Sequence, residues 1–184
     1  MSIVLQGSTS GSVTLQEPAV AGTTVLDLPA VSGTILTTAS SGQSIPKAAL
    51  PTGSVLQVVS NTFTSSFSSS SGTFVSIGLT ASITPTSASS KILVLIDSFV
   101  RSDSANFLNA TIYRNATNLG GSFGLKGIYV NDAFVMPVPF AYYDSPSTTS
   151  STSYTLYMRS ENATTFYLEA LGRVSTITLM EIAA

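Results

Sequence analysis

The sequence predicts an all-β protein, a short N-terminal region of repeated strands followed by a jelly-roll-like antiparallel β-sandwich. Three observations predict it. Apolar residues alternate with polar ones at period two in many short segments, the pattern of half-buried strands. Clusters of Gly, Pro, Ser and Thr punctuate these segments at the spacing of a sandwich or barrel. No segment carries a helical period.

The N-terminal region contains one phrase twice. Pro18-Ala19-Val20-Ala21-Gly22-Thr23 returns as Pro29-Ala30-Val31-Ser32-Gly33-Thr34. Alternating runs flank the copies: Val13-Thr14-Leu15-Gln16, Val25-Leu26-Asp27-Leu28 and Ile35-Leu36-Thr37-Thr38. The unit reads as strand, proline-initiated turn, glycine, strand, with a period of about eleven residues. Ile3-Val4-Leu5 reads as a further short strand ahead of a Gly7–Gly11 turn cluster. Strands this short cannot bury a core alone, so the unit needs neighbours from other chains or from a surface beneath it. Gly42, Pro46, Pro51 and Gly53 then punctuate a neck, placing a domain boundary between residues 1–50 and 51–184.

The second region is taken in order. Val55–Val59 is a strand, and the serine run 65–72 a flexible loop. Phe74–Thr84 alternates and stops at Pro85. Ile92–Ile96 has no alternation, which predicts a strand covered on both faces. Phe107–Arg114, Phe123–Val130 and Phe134–Tyr143 follow, the last interrupted by Pro137 and Pro139 and hence an edge or bulged strand. Tyr154, Leu156 and Met158 share one face of a strand; Phe166, Leu168 and Ala170 share one face of another. In the final strand Ile177 and Leu179 oppose Met180 and Ile182, so one sheet is expected to pack against a sister subunit as well. About eight strands fit two four-stranded sheets of a jelly roll, with an immunoglobulin-like sandwich as the second topology.

Composition narrows the function. The 184 residues carry 9% charged side chains and a formal net charge of −2. That leaves no basic patch for nucleic acid. Mean hydropathy is +0.39, yet no apolar run approaches the roughly eighteen residues of a spanning helix. The start Met1–Gln6 lacks a basic segment and an apolar core, and so does not read as a signal peptide. Cys and His are absent, which removes disulfides, the usual nucleophile–base pairs and zinc sites built on those ligands. No cofactor is expected.

The N-terminal phrases, with Gly11-Ser12-Val13-Thr14-Leu15, the neck Ser41–Leu50, Gly53–Val58 and Ile83–Val94, resemble segments of virion structural proteins of tailed bacteriophages, particularly tail-fibre and tail-spike-like proteins. The resemblance implies a short homotrimeric fibre in the virion, with an N-terminal attachment region that meets other virion proteins and a β-rich head that contacts the host. There is no long shaft here, so a capsid decoration or head-fibre (cement) protein is the alternative, and a glycan-degrading spike a third reading.

Asp97 with Asp103, and Glu161 with Glu169, are the carboxylate pairs a glycosidase would need; as surface charges at strand ends they have a simpler role, and the chain is read as no enzyme. Asp103, Asn106, Asn131 and Asp132 could offer oxygens to calcium but lack a recognised spacing, and turn roles suit them better. Asn109, Asn115 and Asn162 each open a glycosylation-type triplet of the kind that arises by chance in a Thr-rich chain. Tyr142, Tyr143, Asp144 and Ser145, before the polar loop 146–153, set rings beside hydrogen-bonding groups and form the candidate receptor-binding site for a host glycan or protein.

Overall fold

A computed structural model describes residues 3–6, 9–10, 12–15, 50–131, 134–168 and 173–184. The chain divides into two units, Met1–Ser44 and Ile45–Ala184. In the first, β1 (Ile3–Gln6) and β2 (Ser12–Leu15) form an antiparallel hairpin with Gln6 opposite Ser12. The repeated phrase at 18–38 lies outside the described residues.

In the second unit the strands are β3 (Val55–Phe63), β4 (Phe67–Ser69), β5 (Val75–Ile83), β6 (Lys91–Asp97), β7 (Phe99–Ser102), β8 (Asn106–Arg114), β9 (Thr117–Asn118), β10 (Lys126–Val130), β11 (Met136–Pro137), β12 (Phe140–Asp144), β13 (Thr152–Ser160), β14 (Phe166–Leu168) and β15 (Ser175–Ile182). No α-helix occurs among the described residues. One sheet has the order β10-β8-β13-β5, with β9 paired to β8. The strands β12-β6-β15-β3 form a second sheet, and β11-β7-β14-β4 repeat that order with the next segment of each strand. The two sets are therefore one four-stranded sheet creased across its middle, near Ser98 on one strand and Val138 on its neighbour.

Counting each creased strand once and setting aside the two-residue β9 leaves eight positions. The first pairs with the eighth (β3 with β15), the second with the seventh (β5 with β13), the third with the sixth (β6 with β12) and the fourth with the fifth (β8 with β10), all antiparallel. That nested pairing is the eight-stranded jelly roll. It selects the first of the two expected topologies over the immunoglobulin-like one.

The core lies between the two sheets. Ile77, Leu79, Ile92, Val94, Leu108, Ile112, Leu156, Met158, Ile177 and Leu179 are at most 1% exposed. Alternation drives this: β13 and β15 bury every second residue from end to end. Pairs that face each other across strands share a face, so one register decides a whole row.

Several expectations change in detail. Within the serine run expected to be a loop, Phe67–Ser69 forms β4 against Phe166–Leu168; the Phe67 and Phe166 rings lie 6.2 Å apart and supply the burial that three residues need. Phe123 belongs to a 3-10 turn, Gly121–Phe123, and the strand begins only at Lys126. The segment Phe134–Tyr143 is two strands, because neither Pro137 nor Pro139 can donate to a ladder; between them Val138 N donates to Ser98 O at 2.6 Å. Ile92, Val94 and Ile96 are buried as expected, but Leu93 and Leu95 on the other face are only half-buried. In β5 the register jumps between Thr155 and Tyr157 of the partner strand, and Gly78 sits at φ +87 in that bulge. A Cβ there would stand 3.0 Å from the Phe63 ring, so both space and backbone favour glycine.

Candidate functional site

The sandwich has two ends. At its base the chain enters through residues 50–54, tied by Gly53 N to Ala183 O at 2.8 Å and Ala183 N to Ser54 O at 2.9 Å. Loops 84–90 and 145–151 share that end, since Ile182, Lys91 and Val55 align there, as do Asp144 with Ile92 and Thr152 with Ile83. The opposite end carries loops 70–74, 103–105 and 161–165, and β10 ends there at Val130.

Strand alternation divides the candidate receptor residues. Tyr143 points outward and is 56% exposed, and Ser145 is exposed. Tyr142 packs half-buried against the core. Asp144 is 5% exposed and faces inward. Arg114 Nη1 donates to both Asp144 oxygens at 3.0 Å, and Tyr154 Oη donates to Oδ2 at 2.7 Å. Arg114 and Tyr154 are cross-strand partners in one sheet while Asp144 belongs to the other, so this triad joins the two sheets. Burial, then the hydrogen bond to Asp144, pushes the Tyr154 hydroxyl far above its ordinary pKa, which keeps it a donor. The four residues thus do not form one surface: two face solvent, and two belong to the base of the sandwich.

A second carboxylate stitches the same end. Glu181 is fully buried. Its Oε1 accepts from Thr86 N and Thr86 Oγ1, each at 2.7 Å, and its Oε2 accepts from Gln57 Nε2 at 2.6 Å. Burial alone would raise its pKa; the hydrogen bonds from Thr86 and Gln57 outweigh that and hold it below the ordinary value of 4.5. A carboxyl lowered in the folded state stabilises the fold above its unfolded pKa and loses that contribution as pH falls through the folded one. Glu181→Gln is therefore expected to cost about 2 kcal/mol at pH 7. In urea titrations the gap between wild type and variant closes as pH drops below 4.5. A gap that stays constant to pH 3 contradicts this role.

The remaining candidates are dispersed. Asp103 accepts from Arg101 Nη1 at 2.9 Å and from Tyr167 Oη at 2.6 Å; Asp97 ends β6 on the opposite face from the core. Asn106 is buried and donates to Ser160 Oγ at 2.9 Å. Asn131 is exposed, while Asp132 and Glu169 lie outside the described residues. Among the described residues no three His, Cys, Asp or Glu side chains come together as a metal site. No described helix is long and apolar enough to cross a membrane. Asn109 is buried; Asn115 and Asn162 are exposed.

Two surfaces stand out instead, one on the outer face of each sheet. On the creased sheet, Val58 pairs with Met180, Met180 with Leu93, and Leu93 with Tyr143, an apolar row across all four strands. The rows on either side are Val55–Ile182–Lys91 and Ser60–Thr178–Leu95–Ala141. Val55, Val58 and Tyr143 are each at least half exposed, and Lys91 is the only charge in the three rows. On the other sheet, Phe107 and Tyr129 pair at the end remote from the base, with ring centroids 4.9 Å apart.

No protein-family model matches the chain, and no curated protein matches it. Among solved structures, it is similar to the chain in the crystal structure of the T13 infectious bursal disease virus particle, with a TM-score of 0.44 and 16% identity over 70% of this chain and 36% of that one. The structure of the Gt strain of infectious bursal disease virus gives 0.42 and 16%, covering 98% and 46%. The CBM22-1 xylan-binding domain of Paenibacillus barcinonensis Xyn10C gives 0.31 and 16%, covering 74% and 99%. The chain spans less than half the length of the two viral chains.

Proposed function

We propose that this chain is a structural, non-enzymatic protein of a virus particle, a short homotrimeric tail fibre whose subunits meet through the outer face of the creased sheet. The observation that carries the proposal is the apolar row Val58–Met180–Leu93–Tyr143. A contiguous apolar patch of this kind marks an interaction surface. The partners are two further copies of the same chain: a face almost free of charge, turned toward a three-fold axis, meets its neighbours around that axis without repulsion. The phage-like N-terminal phrases, which the sequence reads as strands too short to bury a core alone, also favour assembly. Three heads on one axis would let weak individual contacts with a host add up.

The alternative role, capsid decoration, uses the same oligomer at a different place on the particle. Labelling the protein in purified virions and imaging them separates the two. Label at the tail tip is the expected result. Label spread over the shell transfers the protein to the decoration role, and virions without label reject the particle reading altogether.

A further inference from the structure

We infer that Phe107 and Tyr129, with Arg159, Asn109 and Glu161 beside them, form a saccharide-binding subsite on the outer face of the β10-β8-β13-β5 sheet. This rests on the proposed role and deepens it by naming what the particle surface would contact. Phe107 and Tyr129 are direct cross-strand partners, 50% and 51% exposed, with rings inclined at 51°. One row further along the same face, Arg159 pairs with Asn109, and Asn109 with Gly127. Gly127 leaves the row open, since a Cβ there would meet nothing within 4 Å. Glu161 closes the patch: its backbone N donates to Phe107 O at 2.9 Å. Its carboxylate Oε1 accepts from Asn109 Nδ2 at 2.7 Å and lies 3.7 Å from Arg159 Nη2. One backbone hydrogen bond therefore fixes the acid relative to the ring.

Size and chemistry decide between ligand classes. Two aromatic side chains, each half exposed, offer roughly 200 Å² of apolar surface. That is far below the ~800 Å² that each partner contributes to a stable protein interface. A pyranose ring fits the scale. Its C–H face lies on an aromatic ring, and its hydroxyls donate to the Glu161 carboxylate and accept from the Arg159 guanidinium, which are charge-assisted bonds. A few polar groups beside an apolar platform are what orient a small ligand. The subsite also lies at the opposite end from the base where the chain enters, on the sheet not used for subunit contact. Repetition around a trimer would raise weak binding by avidity.

The test is saturation-transfer NMR with the full chain and millimolar maltohexaose, cellohexaose and chitohexaose as probes. At least one hexaose is expected to receive transfer. The signal should vanish in Phe107→Ala and in Tyr129→Ala, and survive in Phe123→Ala, an exposed ring on the 3-10 turn outside the patch. Glu161→Gln keeps the shape and should weaken binding about tenfold. Far-UV circular dichroism of each variant shows that the fold persists. No transfer to any of the three probes overturns the inference, as does transfer that persists in the Phe107→Ala/Tyr129→Ala double variant. Virion labelling does not involve this patch, so failure here leaves the particle role to its own test.

Discussion

Replacing Asp144 by Ala is expected to destabilise the sandwich by about 3 kcal/mol, among the largest effects of any single polar substitution in the chain. The carboxylate accepts three hydrogen bonds, two from Arg114 and one from Tyr154. Removing it leaves a guanidinium only 27% exposed without its counter-charge. Breaking a buried ion pair on one side costs about 3–5 kcal/mol, and partial solvent access to Arg114 places this case at the low end. The Tyr154 hydroxyl, at 0% residue exposure, loses its acceptor too, a penalty of about 1–3 kcal/mol that overlaps with the first and does not simply add. Chemical denaturation reads the result: a lower urea midpoint with an unchanged slope. Tyr154→Phe should cost only about 1 kcal/mol, since donor and ring separate cleanly there. If Asp144→Ala leaves the midpoint unmoved, the triad does not join the sheets.

Placing carboxylates on the outer face of the creased sheet is expected to abolish assembly and spare the fold. Leu93 and Met180 are cross-strand partners at the centre of the apolar row and are only half-buried in the single subunit. Leu93→Glu with Met180→Glu therefore leaves two side chains that water can still reach in the monomer. In the assembly the same groups would be desolvated and crowded against an uncharged face. Burying an unpaired charge costs several kcal/mol per ion, and like charges brought together add to it. Two such groups at every contact should raise the dissociation constant more than about a hundredfold. Sedimentation velocity is expected to show a folded monomer. A double variant that sediments like wild type places the subunit contact elsewhere.

The legibility of the chain was uneven, for physical reasons. A period of two survives in any half-buried strand, so β5 and β13 were readable from alternation, and the count of about eight strands indicated a jelly roll. Two apolar faces on the final strand foretold that one of them would lie on an outer surface; the structure places Met180 and Ile182 there. Alternation does not say which set faces inward, however. In Tyr142-Tyr143-Asp144 both an aromatic residue and a carboxylate point to the core, against the usual preference for solvated acids. Only the cross-sheet partners Arg114 and Tyr154 make that burial tolerable, and Arg114 stands thirty residues away. Glu181 is a similar case, since its donor Thr86 is separated from it by 95 positions. The Phe107–Tyr129 patch draws on three strands and a loop, and no local pattern in the sequence collects them. Phe67–Ser69 was hidden for another reason: its strand character comes from Phe166 opposite it, not from its serine neighbours.

Static light scattering of the intact chain at micromolar concentration tests the whole picture most directly. A mass three times the 19.0 kDa of one chain is the result that the proposed trimer, assembled through the apolar row, predicts. A mass of 19.0 kDa, held across the concentration range, would mean that the row faces water in a solitary subunit, and the structural role built on it would fail.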